Sequence, residues 1–206
     1  MNLETSKNLG GVGAILMFIS PLLTYVAAYA GLLGLIGFIL VLIAFKGLGD
    51  YYNEGGIFNN ALYGFMIGVV GSVVAVGAFV ASVLTILAEV GVSDWMNASE
   101  WTAAFTAETA FDTILRLVGA VVIALLILFV AVVLTAWFYR KSLNLLSAKS
   151  GVGMFGTAGL ILLIGAFLTI VIVGFLLIWI ALILAAVAFF SIRRTSTEAP
   201  SPPQPS

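Results

Sequence analysis

Few side chains in this 206-residue chain can do chemistry, because cysteine and histidine are both absent. Disulfides, thiolate zinc sites, haem held by His or Cys, iron–sulfur clusters and His-based acid–base catalysis are excluded. Carboxylates, Lys, Arg, Tyr and hydroxyls remain. The carboxylates gather in one stretch, where Glu89, Asp94, Glu100, Glu108 and Asp112 follow one another with no basic residue between them. Such oxygens suit a hard cation such as calcium, and convergence of Glu100, Glu108 and Asp112 could build an acid–base site. Their spacing is not that of an EF-hand loop, so a solvated acidic surface is the simpler reading, and no metal or cofactor is assigned. Asp112 and Arg116 stand four apart and can pair on one helix face, as a solvated ion pair where Arg snorkels from a span edge. Asn97-Ala98-Ser99 is an N-glycosylation sequon, though an unmodified surface asparagine fits the same triplet. Asn97 with Glu100 also fits a capping box that would start a helix near Ala98, with Trp101 and Phe105 inward.

A second polar stretch contains Lys46, Asp50, Tyr51, Tyr52, Asn53, Glu54 and the Gly55-Gly56 break, followed by Asn59 and Asn60. Lys46 and Asp50 can pair across one turn. An interfacial loop with aromatic anchors and a helix start has the same composition. No phosphate loop, nucleophile elbow or metal motif occurs. These residues compose no active site, and the chain reads as non-enzymatic.

The elements that must position these groups are membrane helices. Of all residues 63% are hydrophobic and 8% charged, with a mean hydropathy of +1.24. An ordinary soluble domain is about half apolar and a quarter charged. So few charges could not cover a surface facing water, and the bilayer is the implied partner. A net charge of −1 offers no pull toward nucleic acid.

Charge-free stretches count the spans. Lys7–Lys46 encloses 38 uncharged residues, Glu54–Glu89 34, Arg116–Arg140 23 and Lys149–Arg193 43. A span needs about 20 residues at ~1.5 Å each, so the 38- and 43-residue stretches fold back as hairpins. The 34-residue stretch is ambiguous by length, and charge decides it. If it is one helix, Lys7, Lys46, Arg140, Lys141, Lys149, Arg193 and Arg194 share one side, leaving only Arg116 opposite. The expected fold is therefore an all-α integral membrane bundle of about six helices with both termini in the cytoplasm. The spans fall near 9–24, 32–48, 58–87, 114–139, 152–170 and 175–192, all within one domain over residues 1–194. Breaks are expected at Pro21 and at a hairpin turn on Gly174.

Aromatic belts agree with this topology. Tyr25, Tyr29, Trp95 and Trp101 fall outside, and Tyr51, Tyr52, Trp137 and Tyr139 inside. Ala28-Tyr29-Ala30 fits a leader-cleavage pattern, but the apolar region before it is too long and Pro21 interrupts it, so a span is read there. The acidic stretch becomes an external loop over 89–113. Residues 140–150 become a short basic internal loop, with Leu143, Leu145 and Leu146 on the headgroup boundary. The Pro- and Ser-rich stretch 195–206, with a PxxP spacing at Pro200 and Pro203, becomes a disordered cytoplasmic tail.

Two patterns bear on assembly. Leu32, Leu33, Ile39, Leu40, Ala44 and Phe45 return at a constant offset of 144 as Leu176, Leu177, Ile183, Leu184, Ala188 and Phe189, suggesting duplicated hairpins flanking a central helix pair. In the third span Ala61, Gly64, Gly68, Gly71, Ala75, Ala78 and Ser82 alternate spacings of three and four, so all seven share one seam. Small residues let helices approach closely in lipid, here against a helix of the same chain or against a second copy or partner subunit. No Asp, Glu, Lys or Arg lies mid-span, where ion-coupled transporters usually place one.

The basic-side junctions resemble a known family. The segment 42–64, LIAFKGLGDYYNEGGIFNNALYG, carries the likeness, together with Phe138-Tyr139-Arg140-Lys141-Ser142-Leu143. Ser150-Gly151 with Phe155, Ala158 and Gly159, and Ala188-Phe189-Phe190-Ser191-Ile192, extend it over nearly the whole chain, apart from the external loop and the tail. The family is a group of uncharacterised prokaryotic, largely archaeal, multi-pass membrane proteins, the domain-of-unknown-function group nine hundred and ninety-six. The resemblance implies a prokaryotic cell-membrane protein and supplies no activity or catalytic residue. The expected role is a non-enzymatic membrane subunit or scaffold working through helix contact. The alternative is a transporter or channel for a small solute, requiring a cavity that includes Ser72, Thr85, Thr135 or Thr169.

Overall fold

A computed structural model describes residues 2–24, 29, 31–94, 96–104 and 107–193. Among these residues there is no strand, and the helices are α1 (Leu3–Thr24), α2 (Gly31–Tyr51), α3 (Gly55–Glu89), α4 (Ala98–Ala104), α5 (Ala107–Ser150), α6 (Met154–Phe167) and α7 (Val173–Phe190). All but the short α4 take part in six stretches long and apolar enough to cross a membrane. The chain is an all-helical, multi-pass membrane bundle.

Each long helix packs on its neighbour in sequence, and α7 returns to pack on α1. The result is a closed ring of three antiparallel hairpins, α1–α2, α3–α5 and α6–α7. The expected arrangement of two hairpins flanking a central pair is corrected by the α7–α1 joint, which makes α3–α5 one side of the ring. Glycine sets this joint. A Cβ built on Gly10 or Gly11 would fall inside the rings of Phe189 and Phe190, so α7 can approach α1 only where α1 lacks side chains. Glycine serves the hairpins too. Gly13 and Gly37 face each other across α1–α2, and a Cβ on Gly37 would stand 2.6 Å from the Gly13 carbonyl oxygen. Across α6–α7, a Cβ on Gly165 would stand 3.0 Å from the Gly174 carbonyl oxygen.

Four local features depart from expectation. Helix α1 runs through Pro21 without ending, and it starts at Leu3, where the Asn2 side chain accepts the Thr5 N–H at 2.7 Å. The α6–α7 turn lies at Ile172, whose φ of 63° is unusual for a β-branched residue, while Gly174 is buried in the first turn of α7. Residues 140–150 are not a loop, because α5 continues unbroken to Ser150. It ends there on Gly151, whose φ of 72° lets its N–H reach the Ser147 carbonyl. Finally, Leu143 and Leu146 are buried in the core rather than lying on a headgroup boundary. Ala136, Tyr139, Leu143 and Leu146 recur at three and four residues and carry one inward stripe past the charges of Arg140 and Lys141.

The two ends of the ring differ. The end carrying Lys7, Lys46, Arg140, Lys141, Lys149 and Arg193, here called the basic end, is closed by fully buried Phe45, Leu48, Ile57, Leu146, Phe155, Phe189 and Ile192. At the acidic end α3 and α5 outrun the other helices. With 35 and 44 residues they are about 52 and 66 Å long, against about 32 Å for the 21-residue α2. Val76, Leu84, Phe111 and Ile123 are exposed on this overhang.

Candidate functional site: a chamber on the ring axis

The three hairpins bring aromatic rings together where they meet the axis. Phe45 and Phe189, equivalent under the offset of 144, lie tilted against each other at 5.8 Å, and Tyr139 from the α3–α5 hairpin lies 6.2 Å from Phe45. Around these rings is a cavity of ≈ 270 Å³. Every long helix contributes to its wall, through Ala14, Phe45, Gly68, Tyr139, Ala158 and Phe189 among others.

The wall is almost wholly apolar. Thr135 and Tyr139 are its two hydroxyl-bearing lining residues, and the Tyr139 hydroxyl oxygen itself is buried. Thr135 donates to the Gly64 carbonyl at 3.1 Å, and one heptad on, Ser142 donates to the Ile57 carbonyl at 2.5 Å. These two bonds fasten α5 to α3 through backbone oxygens of antiparallel helices. Tyr139 is 8% exposed, and its hydroxyl has no hydrogen-bond partner among the described residues. The expected place of Tyr139 in an interfacial belt is corrected here. Residues two apart on a helix point about 200° apart, so where Trp137 is exposed, Tyr139 turns to the axis.

The small-residue seam of α3 lies against α5. Ala61 and Ala75 are buried, and Ala78 and Ser82 are half-buried. A Cβ on Gly64 would meet the Tyr139 ring at 3.0 Å, and one on Gly68 the Thr135 hydroxyl at 3.1 Å. A Cβ on Gly71 would overlap that of Ala131. The seam is thus occupied within the chain. Of the hydroxyls named for a solute path, only Thr135 reaches the chamber. Ser72, Thr85 and Thr169 donate to the Val69, Ala81 and Ala166 carbonyls of their own segments.

The acidic segment is not gathered into one site. Asp112 and Glu89 both bind Arg116, at 2.7 and 2.5 Å, tying the end of α3 to the start of α5. Glu100 instead accepts the backbone N–H groups of Ser93 and Asp94 at 2.7 and 2.8 Å. Those bonds hold its carboxyl below the ordinary range. Asn97 precedes α4 and accepts the Ser99 N–H at 3.2 Å, so its side chain acts as an N-cap. Among the described residues no three carboxylates are placed to hold a metal ion. The side chain of Glu108, together with Tyr25, Ala28, Ala30, Trp95, Phe105, Arg194 and the tail 195–206, lies outside the described residues.

At the basic end Lys46 pairs with Asp50 at 2.9 Å and Lys149 with Glu54 at 3.3 Å. Tyr52, between these pairs, has its phenol pushed above the ordinary value by burial and by neighbouring Tyr51. Sequence reasoning missed the chamber and the glycine joints outside α3. Gly34 and Gly37, three residues apart, carried a usable signal for the α1–α2 joint. For the chamber there was none, since each helix gives it only a few ordinary apolar residues.

A ring of apolar hairpins around a partly open apolar cavity defines a polytopic membrane protein with a cavity between its helices. Residues 33–183 match the family described as Protein of unknown function (DUF996), and the chain belongs to that family. A relative described as an uncharacterised protein of the archaeon Methanocaldococcus jannaschii is 29% identical over 192 residues, covering 93% of this chain and 94% of the relative. No solved structure matches.

Proposed function

We propose that the protein is a non-enzymatic carrier that takes up a small, largely apolar solute into the chamber at the centre of its helix ring. The observation that carries this reading is the chamber itself, walled by all six long helices and lined by apolar side chains. A fold devoted only to helix contact would fill its axis, since voids forfeit dispersion contacts. The glycines of the α3 seam, which favoured a scaffold, pack against α5 of the same chain.

In this reading the basic end faces the cytoplasm of a prokaryotic cell, and residues 1–194 act as one domain with a trailing tail. The chain lacks cysteine, so single introduced cysteines report sidedness cleanly. Asp50→Cys and Asn144→Cys are expected to label from one side of intact cells and Ser93→Cys from the other. Opposite labelling of the first two would overturn the topology. Uptake itself is tested with protein reconstituted in vesicles, by following efflux of an entrapped apolar fluorophore. Efflux equal to that of protein-free vesicles would remove the carrier reading.

A scaffold role has one observation in its favour. Helices α3 and α5 are longer than the roughly 30 Å hydrocarbon core, and a second copy or partner subunit would shield the apolar side chains on their overhang. Val80→Cys on that face is expected to crosslink between chains in native membranes if this holds.

A further inference from the structure

The α3–α5 hairpin marks where hydrocarbon begins and ends. On α3 the exposed large apolar side chains run from Tyr63 to Leu84, about 32 Å at ~1.5 Å per residue, against a hydrocarbon core of roughly 30 Å. On the basic side Tyr63 meets Phe138, and Lys141 lies over the Trp137 and Phe138 rings, a pairing that suits the interface. On the acidic side the belt gives way to the ion pairs of Arg116 with Glu89 and Asp112. Helix α6 is in register with this frame, since a Cβ on Gly159 would stand 3.2 Å from the Arg140 Cα. From Arg140 to Arg116 α5 rises about 36 Å, whereas from Gly159 to Ile172 the chain rises only about 20 Å. The α6–α7 turn stops well short of the acidic boundary.

We infer that the α6–α7 turn ends inside the bilayer, covered by acyl chains of the leaflet on the acidic side. Both helices then enter and leave on the basic side, and this side of the ring is roofed by lipid instead of water. The side chains agree. A turn that meets water draws on Gly, Pro, Asn, Asp and Ser, whereas Leu168-Thr169-Ile170-Val171-Ile172-Val173 holds one hydroxyl and no other polar side chain. Ile170 and Ile172 are nevertheless 70% and 78% exposed. The backbone agrees too, because lipid requires its polar groups to be satisfied within the protein. Helix α6 tightens into a 3₁₀ turn over Leu168–Val171, and only Ile172 separates that turn from α7. The Ile172 N–H donates to the Thr169 carbonyl at 3.2 Å, and its carbonyl accepts the Phe175 N–H at 3.0 Å. The Thr169 hydroxyl donates to the Ala166 carbonyl at 2.7 Å, so the one polar side chain is spent on its own helix. This inference does not depend on what occupies the chamber.

The test uses the full chain with Ile172→Cys, which carries a single bimane label because the parent lacks cysteine. The protein is placed in nanodiscs of lipids brominated near their chain ends, and iodide serves as the aqueous quencher. Ile170→Cys gives a second reading at the same turn, away from the positive-φ position. Ser93→Cys is the water-facing reference, and exposed Leu126→Cys on α5 is the reference at the same depth. Both turn labels are expected to be quenched by brominated chains as strongly as Leu126→Cys. Iodide is expected to quench them about tenfold less than Ser93→Cys, since an ion does not enter hydrocarbon. Iodide quenching equal to that of Ser93→Cys would overturn the inference by putting the turn in water. Quenching by neither agent would overturn it as well, because protein instead of lipid would then cover the turn.

Discussion

Single residues in this protein show how context assigns a role that residue type alone leaves open. Tyr139 follows Trp137 and precedes Arg140, a sequence position that suits an interfacial anchor, yet helix geometry turns it to the axis. Only knowledge of which α5 face meets α3 could have placed it, and that face is set by Ala136, Leu143 and Leu146 on either side. Glu100 was legible as a capping residue, but its partners were not. It accepts the Ser93 and Asp94 N–H groups and the Asn97 side-chain amide, whereas the Asn97 backbone N–H donates to the Asp94 carbonyl. Because its carboxyl is held below the ordinary range, this contribution is complete above that range and is lost as pH falls through the lowered value. The amide proton shifts of Ser93 and Asp94 are therefore expected to titrate together in acid, at a pH below that of an unstructured glutamate. Glu100→Gln is expected to abolish the titration. Titration at the ordinary value would show that the carboxylate is not engaged.

Helices were the most legible level, because twenty uncharged apolar residues in a row can do little else in lipid. Element ends were harder. Arg140 and Lys141 read as the start of a loop, yet Arg140 packs half-buried beside Gly159 and Lys141 lies over the Trp137 and Phe138 rings, while Ser142, Leu143 and Leu146 continue the inward stripe. The α3 seam was legible because glycine and alanine at heptad-like spacing have few other uses, and its partner α5 was recognised only in three dimensions. Gly71 is its tightest point. Gly71→Ala would force its methyl into that of Ala131, and overpacking of this kind costs about 1–3 kcal/mol. The variant is expected to melt lower in detergent, and Gly71→Ala with Ala131→Gly is expected to recover most of the loss. Failure of the pair to recover would separate the effect from this contact.

The whole molecule was the least legible scale. Six spans and their alternation follow from length and charge, but closure into a ring depends on Phe189 and Phe190 finding Gly10 and Gly11 across 179 or so positions of sequence. The chamber follows from closure and so was equally hidden. Closure has a further consequence for traffic. Glycine draws backbones together at five of the six joints, and such seams part only at the expense of close interhelical contact. The α2–α3 joint is the sparsest, and away from its short turn it is latched by the stacking of Phe38 on Phe65 at 5.0 Å. That turn, Tyr52–Glu54, holds Asn53 at a positive φ of 49°. A doorway hinged there would admit a solute sideways from the hydrocarbon rather than through either mouth of the bundle. Tethering Phe38→Cys to Phe65→Cys with a short bifunctional reagent is expected to stop exchange of a bound apolar probe while leaving the fold intact. Exchange at the untethered rate would place the entrance elsewhere on the hoop.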